Sequence, residues 1–264
     1  MHDELELQDV IYRVRERAAW VIINRAEVYN AFRGQTIEDL ITAFSRARDD
    51  REVACIVLTG VGDKAFCTGG DQSVHEGSYG GRGIVGLPID ELQSLIRDVP
   101  KPVIARVNGY AIGGGNVLAT LCDLTIAADS AQFGQVGPKM GSVDPGWGTA
   151  LLARHVGDKR AREMWFINDR YSAEDAYRMG LVNKVVPADR LDEAVKDWTD
   201  KLAERSPTAL ALAKRSFNAD SDGIRGISSM GLQALKLYYD TEESKEGVRA
   251  FNEKRKPEFR KFVS

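Results

Sequence analysis

The sequence predicts an α/β fold in which strands and helices alternate, followed by a C-terminal stretch that is almost wholly helical. Three observations carry that expectation. Short β-branched runs recur along the chain, the segments between them place apolar residues at helical spacing, and Gly or Pro closes most of them. Residues 19–24 (AWVIIN) read as the first strand. Residues 36–48 put Ile37, Leu40, Ile41 and Phe44 on one helical face, with Thr36 as the expected N-cap. Residues 54–59 (ACIVLT) form a second buried strand, ended by Gly60 and Gly62, and residues 88–99 a helix that Pro100 and Pro102 stop. A third strand follows at 103–107. The glycines at 113–115 then open an apolar helix to about Cys122, and residues 124–127 (LTIA) give a fourth strand. Beyond Ser172 only residues 181–186 are β-like, while 191–202, 207–217, 224–238 and 242–251 read as helices.

The composition excludes several classes. The 264 residues are 43% hydrophobic and 28% charged, as expected of a folded globular chain. Lys plus Arg number 36 against 39 Asp plus Glu, too even a balance for bulk nucleic-acid binding. Cys55, Cys67 and Cys122 are an odd, sparse set in apolar or Gly-rich surroundings, which argues against a disulfide framework and fits a reducing, cytoplasmic setting. His2, His75 and His155 are far apart and no CxxC occurs, so no metal site is expected. No apolar run reaches the roughly 20 residues of a membrane span, and the N-terminus lacks the pattern of a signal peptide.

Three glycine clusters hold most of the remaining information: FCTGGDQ at 66–72, GYAIGGGN at 109–116 and FGQVGPKMGSVDPGWG at 133–148. Glycine lets a ligand approach main-chain N–H groups closely, and a helix start adds the positive end of its dipole. Two such turns facing each other can form an oxyanion hole. Each cluster alone is equally a tight turn. Neither phosphate-binding glycine motif (GxGxxG or GxxxxGK[ST]) is present.

Taken together, Asn30 with Ala31, the CTGGD turn at 67–71, the IGGG helix start at 112–115 and the FGQ segment at 133–135 resemble the crotonase (enoyl-CoA hydratase/isomerase) superfamily over nearly the whole chain. The resemblance implies a crotonase-type spiral of ββα units over residues 1–205, carrying a coenzyme A thioester site. It implies a helical trimerisation region at 206–264 and assembly as a homohexamer, a dimer of trimers. The family's oxyanion hole maps onto the N–H groups of Gly70 and Gly114.

The chain departs from a hydratase of this family at two positions. Val117 and Gly137 stand where the two water-handling glutamates are expected, and neither can transfer a proton. An inactive homologue and a non-catalytic binding module are the non-enzymatic readings. Other polar groups are present instead: Ser142, Asp144 and Tyr239. With their neighbouring segments they resemble subfamilies that make or break a carbon–carbon bond beta to a thioester. One opens a ring, as 2-ketocyclohexanecarboxyl-CoA hydrolase does, and the other closes one, as 1,4-dihydroxy-2-naphthoyl-CoA synthase does. Residues 72–88, 109–116, 134–148 and 206–218 are most similar to the hydrolase, since Ser73 and His75 stand where the synthase has cations for an additional carboxylate. The expected reaction is hydrolytic ring opening to pimeloyl-CoA. Asp144 handles water, Ser142 or Tyr239 donates to the ketone, and Gly70 with Gly114 holds the enolate. Each of the three side chains also has an ordinary structural use: a turn before Pro145, a local cap, and packing on a helix face.

The resemblance also places Arg33 near the coenzyme phosphates and Thr68, Asp71 and Gln72 beside the first glycine turn. His75 and Tyr79 fall in the substrate loop, which is equally a surface loop. Phe251 and Lys254 are expected to reach a neighbouring subunit's coenzyme, and Lys254 equally belongs to a solvated tail. No cofactor is required, although Gly137 leaves room for a bicarbonate, and no redox-cofactor fingerprint occurs.

Overall fold

A computed structural model describes residues 4–74, 78–144 and 146–263. The first three strands, β1 (Glu4–Glu6), β2 (Val10–Arg15) and β3 (Ala18–Ile23), form an antiparallel meander at one side of the larger sheet. From β3 the sheet continues parallel through β4 (Cys55–Gly60), β6 (Val103–Val107), β8 (Leu124–Ala128) and β11 (Lys184–Val186). A smaller sheet runs beside it. It holds β5 (Ala65–Cys67), β7 (Tyr110–Ile112) and β9 (Gln132–Gly134) in parallel, edged by antiparallel β10 (Tyr171–Ser172).

The chain therefore climbs as a spiral. Each turn lays one strand in the large sheet and one in the small: β4 then β5, β6 then β7, β8 then β9. The helices α1 (Gly34–Asp49), α2 (Ile89–Asp98) and α3 (Gly114–Leu121) pack on the inner side. Parallel strands covered on both faces must be apolar throughout, and β3 and β4 are buried at every position. One face meets α1–α3 through Val21, Ile23, Ile56, Leu58, Leu40 and Phe44. The other meets α7 (Leu191–Ala203) through Trp20, Val57, Ile104 and Val195.

Thr36 is not the N-cap of α1. The helix begins at Gly34 with Arg33 before it, and Thr36 works from inside the first turn. Its hydroxyl accepts from the Arg33 N–H at 3.1 Å and donates to Asp9 at 2.6 Å.

The region between β9 and α7 folds into a single π-turn at Trp147–Leu151 and the short helices α4 (Leu152–Val156), α5 (Asp158–Ile167) and α6 (Ala173–Met179). The last helices are α8 (Pro207–Ala219), α9 (Asp222–Tyr239) and α10 (Glu242–Asn252). They are tied into the spiral by buried polar contacts. Lys214 on α8 pairs with Asp123 at 2.6 Å and donates to the carbonyls of Ile96 and Lys101. Arg97 on α2 stacks over Trp147 and donates to Ser221. No helix among the described residues is long and apolar enough to cross a membrane.

Candidate active site

The two glycine turns close on each other at the head of a cleft of about 710 Å³. Gly69 has φ +89°, and a Cβ there would stand 2.9 Å from the amide nitrogen of Gly114. One residue further, a Cβ on Gly115 would drive into the carbonyl of Cys67. Only glycine lets β5 and the start of α3 approach this closely. The result is that the backbones of Gly70 and Gly114 line the same cleft, at the N-terminus of the eight-residue helix α3. Main-chain donors at a helix N-terminus favour negative charge. The expected oxyanion pair is thus brought together.

Asp144 lines the cleft from the third glycine cluster. The π-turn aims the Gly148 N–H at its Oδ1, 2.9 Å away. Burial pushes the Asp144 carboxyl up to about 6, while hydrogen bonds from Gly148 and the side chain of Gln93 pull the other way. Ser142 and Tyr239 meet across 97 residues of sequence, Oγ to hydroxyl at 2.8 Å. Burial raises the Tyr239 phenol, so it stays protonated and able to donate. Tyr239 lies at the end of α9 and lines the cleft of its own chain together with Ser228, Leu232 and Leu235. Ser142, Asp144 and Tyr239 are accordingly brought together.

Tyr79 also reaches this place. Its hydroxyl stands so close over Gly70 that a Cβ there would collide with it, and it takes a hydrogen bond from Gln72 Nε2 at 3.4 Å. Gln72 donates in addition to the Gly70 carbonyl at 3.0 Å. Arg82 bridges the loop carrying Tyr79 to both flanking helices, through Glu38 on α1 and Glu91 on α2.

The residues expected to hold the coenzyme divide. Thr68, Gln72, Gly137 and Phe251 line the cleft, and Thr68 Oγ1 donates to the Tyr29 carbonyl. Phe251 does so within its own chain. Asp71 lines it too, but its carboxylate is committed to buried Arg25 at 3.0 Å and to Ser73, and these bonds hold it below the usual carboxylate range against the effect of burial. Arg33 does not belong to the cleft wall. Its guanidinium grips Asp9 in a fork at 2.8 and 2.9 Å, which ties its Nε and Nη2 to the start of α1. Lys254 lies exposed beyond α10 in a left-handed conformation, outside the cleft wall. His75 lies outside the described residues.

Sequence reasoning missed Gln93, Gln135, Lys139, Trp165 and Arg170, which also line the cleft. Gln135 and Lys139 had a signal in the third glycine cluster, and Gln93, Trp165 and Arg170 had none. The Gln135 Nε2 is buried without a hydrogen-bond partner among the described residues. At Gly137 the Trp165 indole stands 2.6 Å from where a Cβ would be, so as the ring lies a side chain at 137 has no place.

This spiral, with paired glycine amides at the mouth of a helix and a cleft of acyl-chain size, defines a crotonase-type fold. Residues 14–261 match the sequence pattern of the enoyl-CoA hydratase/isomerase family. An enoyl-CoA hydratase from Mycobacterium avium subsp. paratuberculosis K-10 superposes with a TM-score of 0.84 at 28% identity, covering 96% of this chain and 99% of that one. A carnitinyl-CoA hydratase from Mycobacterium avium gives 0.82 at 31%, covering 95% and 98%. An enoyl-CoA hydratase subunit from Geobacillus kaustophilus HTA426 gives 0.75 at 33%, covering 97% and 99%. The chain belongs to the enoyl-CoA hydratase/isomerase family, the crotonase superfamily of enzymes that process coenzyme A thioesters.

Proposed function

We propose that the protein is a carbon–carbon bond hydrolase that opens the ring of a cyclic β-keto acyl-CoA, with 2-ketocyclohexanecarboxyl-CoA as substrate and pimeloyl-CoA as product. The observation that carries the reading is the Ser142–Tyr239 hydroxyl pair beside Asp144, in the cleft that Gly70 and Gly114 also line. A hydratase needs two titratable groups to place and deliver water. Among the described residues lining the cleft only Asp71 and Asp144 carry carboxyls, and Arg25 occupies Asp71.

The residues lining the cleft support the following steps. With a carboxyl near 6, Asp144 is ionised at neutral pH and takes a proton from water. The water oxygen bonds to the ring ketone carbon while Tyr239, steadied by Ser142, donates to the ketone oxygen. The bond between the ketone carbon and the α-carbon breaks, and its electron pair moves onto the thioester carbonyl. The Gly70 and Gly114 amides hold that oxygen; losing one such donor costs about 10²–10³ in rate. The α-carbon then takes the proton from Asp144. The product is a carboxylic acid joined by an open chain to the intact thioester, one water heavier than the substrate.

The residues present do not fit a bicarbonate in place of a side chain at Gly137, because the Trp165 ring and the Ser142 carbonyl fill that space, and no step is routed through one. Assembly as a homohexamer is part of the same reading. Its support is the row of exposed apolar side chains on α8 and α9, namely Leu212, Phe217, Met230 and Leu237.

The experiment is incubation with 2-ketocyclohexanecarboxyl-CoA in H₂¹⁸O. The expected product is pimeloyl-CoA with the label in its new carboxyl, and no turnover by Asp144→Asn. Cyclisation of succinylbenzoyl-CoA without ring opening would make the protein a synthase. Brisk hydration of crotonyl-CoA would overturn the reading.

A further inference from the structure

Arg25 follows β3, is buried, and is not part of the cleft wall. Its guanidinium nonetheless reaches both sides of the first glycine turn. Nη1 donates to the Ala31 carbonyl at 2.6 Å, and Nη2 donates to the Asp71 carboxylate at 3.0 Å. Between these two anchors lies an isolated backbone pairing of Phe32 with Gly70. The Phe32 N–H donates to the Gly69 carbonyl and the Asp71 N–H to the Phe32 carbonyl, both at 2.8 Å. A trans peptide points its C=O and its N–H in opposite directions, and no described peptide bond is cis. With the Gly69 carbonyl turned to Phe32, the Gly70 N–H of the same peptide unit faces the other way, on a residue that lines the cleft. The Phe32 ring meets the second half of the oxyanion hole. A Cβ on Gly114 would stand 2.7 Å from the ring Cζ, so the tip of the ring lies against the Gly114 backbone. Phe32 therefore touches both oxyanion residues, one with its main chain and the other with its ring.

We propose that Arg25 is a positioning residue for the oxyanion hole: together with Asp71 it staples the pairing of Phe32 with Gly70, and through Phe32 it fixes the aim of the Gly70 amide and its spacing from Gly114. The assignment deepens the hydrolase reading and rests on it for the substrate alone. A pairing only two hydrogen bonds long has little of its own to hold its register, and a reacting group displaced by about 1 Å can lose on the order of 10²-fold in rate. The guanidinium is planar with its donors in fixed directions, so anchoring the residue before Phe32 and the residue after Gly70 sets an angle as well as a distance. Asp71 is itself held from behind, since the Ser73 N–H and hydroxyl both donate to its Oδ1. The benefit falls on the transition state, because the thioester oxygen becomes a strong acceptor only as it gains charge.

The test uses the full chain and a probe that cannot react. Cyclohexanecarboxyl-CoA labelled with ¹³C at the thioester carbonyl has no ring ketone to attack, and its carbonyl resonance moves downfield when amides polarise the oxygen. The wild-type protein is expected to shift that resonance on binding. Arg25→Lys keeps a buried cation beside Asp71 and Asp9 but cannot span both anchors, and Asp71→Ala leaves Arg25 facing Asp9, which stands 3.6 Å from its Nε. Both variants should lose most of the displacement while binding the probe within about threefold of wild type, and ring opening should fall at least about tenfold in kcat with little change in KM. Phe32→Leu, which keeps the staple and removes the ring tip beside Gly114, should lose part of the displacement. Partial unfolding would lower the amount of probe bound and leave the resonance of the bound fraction where it was. Full displacement in Arg25→Lys would overturn the proposal, as would a rise in KM alone in Asp71→Ala, which would make Asp71 a coenzyme contact. A wild-type resonance that does not move would remove the staple along with the hole. Displacement lost in the variants of a protein inert toward the β-keto thioester would keep the staple and remove the substrate.

Discussion

Asp144 carries a buried carboxyl whose shifted titration is destabilising at neutral pH. Its carboxyl titrates near 6 in the folded protein against 3.8 for the free side chain, so the folded state prefers the protonated form. That preference favours folding fully below pH 3.8 and is lost as the pH rises through 6. Asp144→Asn, which removes the charge and keeps the shape, should therefore raise thermal stability at pH 8 by about 1–2 kcal/mol and leave it unchanged near pH 4. Turnover should vanish at both. The wild-type kcat/KM should fall away below about pH 6 as Asp144 takes up its proton, and a profile flat to pH 4.5 would rule Asp144 out as the base. Tyr239→Phe should lower kcat by about 10²-fold with little change in KM, because the phenol acts on charge that develops during reaction. Arg33 shows the reverse lesson. Its place after Ala31 and Phe32 reads as a phosphate contact, yet Asp9 takes its Nε and Nη2 in a fork, and no feature of the sequence near 33 points to a partner 24 residues upstream.

At the level of elements, the decisive contact is the one between the end of β5 and the start of α3. Gly115→Ala would set a methyl group against the Cys67 carbonyl, which cannot swing aside as a side-chain tip can. It should cost about 2–3 kcal/mol, seen as a fall of roughly 5–10 °C in the melting temperature. Exposed Gly223, whose added Cβ meets nothing, is the matched control and should be neutral or mildly stabilising as Ala. The parallel strands of the large sheet were legible because strands buried on both faces are continuous apolar runs, whereas antiparallel β1 and β2 at its edge, short and interrupted by charged residues, were missed. Residues 103–107 and β6 coincide, and the helix read at 88–99 is α2 to within a residue at each end. The small sheet was not legible. Its strands are two or three residues long, too short to show alternation, and are held by side chains from elsewhere, as when Asn30 and Asn108 both donate to the Ala65 carbonyl. Within the site, the oxyanion turns and the Ser142, Asp144 and Tyr239 set could be found from motifs. Gln93 and Trp165 could not, because a glutamine and a tryptophan on amphipathic helices look like ordinary packing.

Across the whole molecule, the spiral and the terminal helices are one mechanical unit. Lys214 is buried against Asp123, and burial lifts that carboxyl above its ordinary range in spite of its partner. Lys214→Met strands Asp123 without a counter-charge and should lower the unfolding free energy by about 2–3 kcal/mol at pH 7, read from the urea midpoint at unchanged slope. Adding Asp123→Asn should restore part of that loss. At the same scale, sedimentation velocity should find a hexamer, and Leu237→Glu should break it by placing a charge where an apolar face is to be covered. The reach of the terminal helices also has a temporal side. Ser142 waits for a phenol 97 positions later in the chain, and Leu232 and Leu235 of the same late segment add to the apolar lining of the cleft. A ribosome emitting this polypeptide releases the glycine turns early and the last wall only when nearly every codon has been read. A chain stopped before residue 228 lacks Leu232, Leu235 and Tyr239, so the cleft is completed only by the last part of the chain to be made.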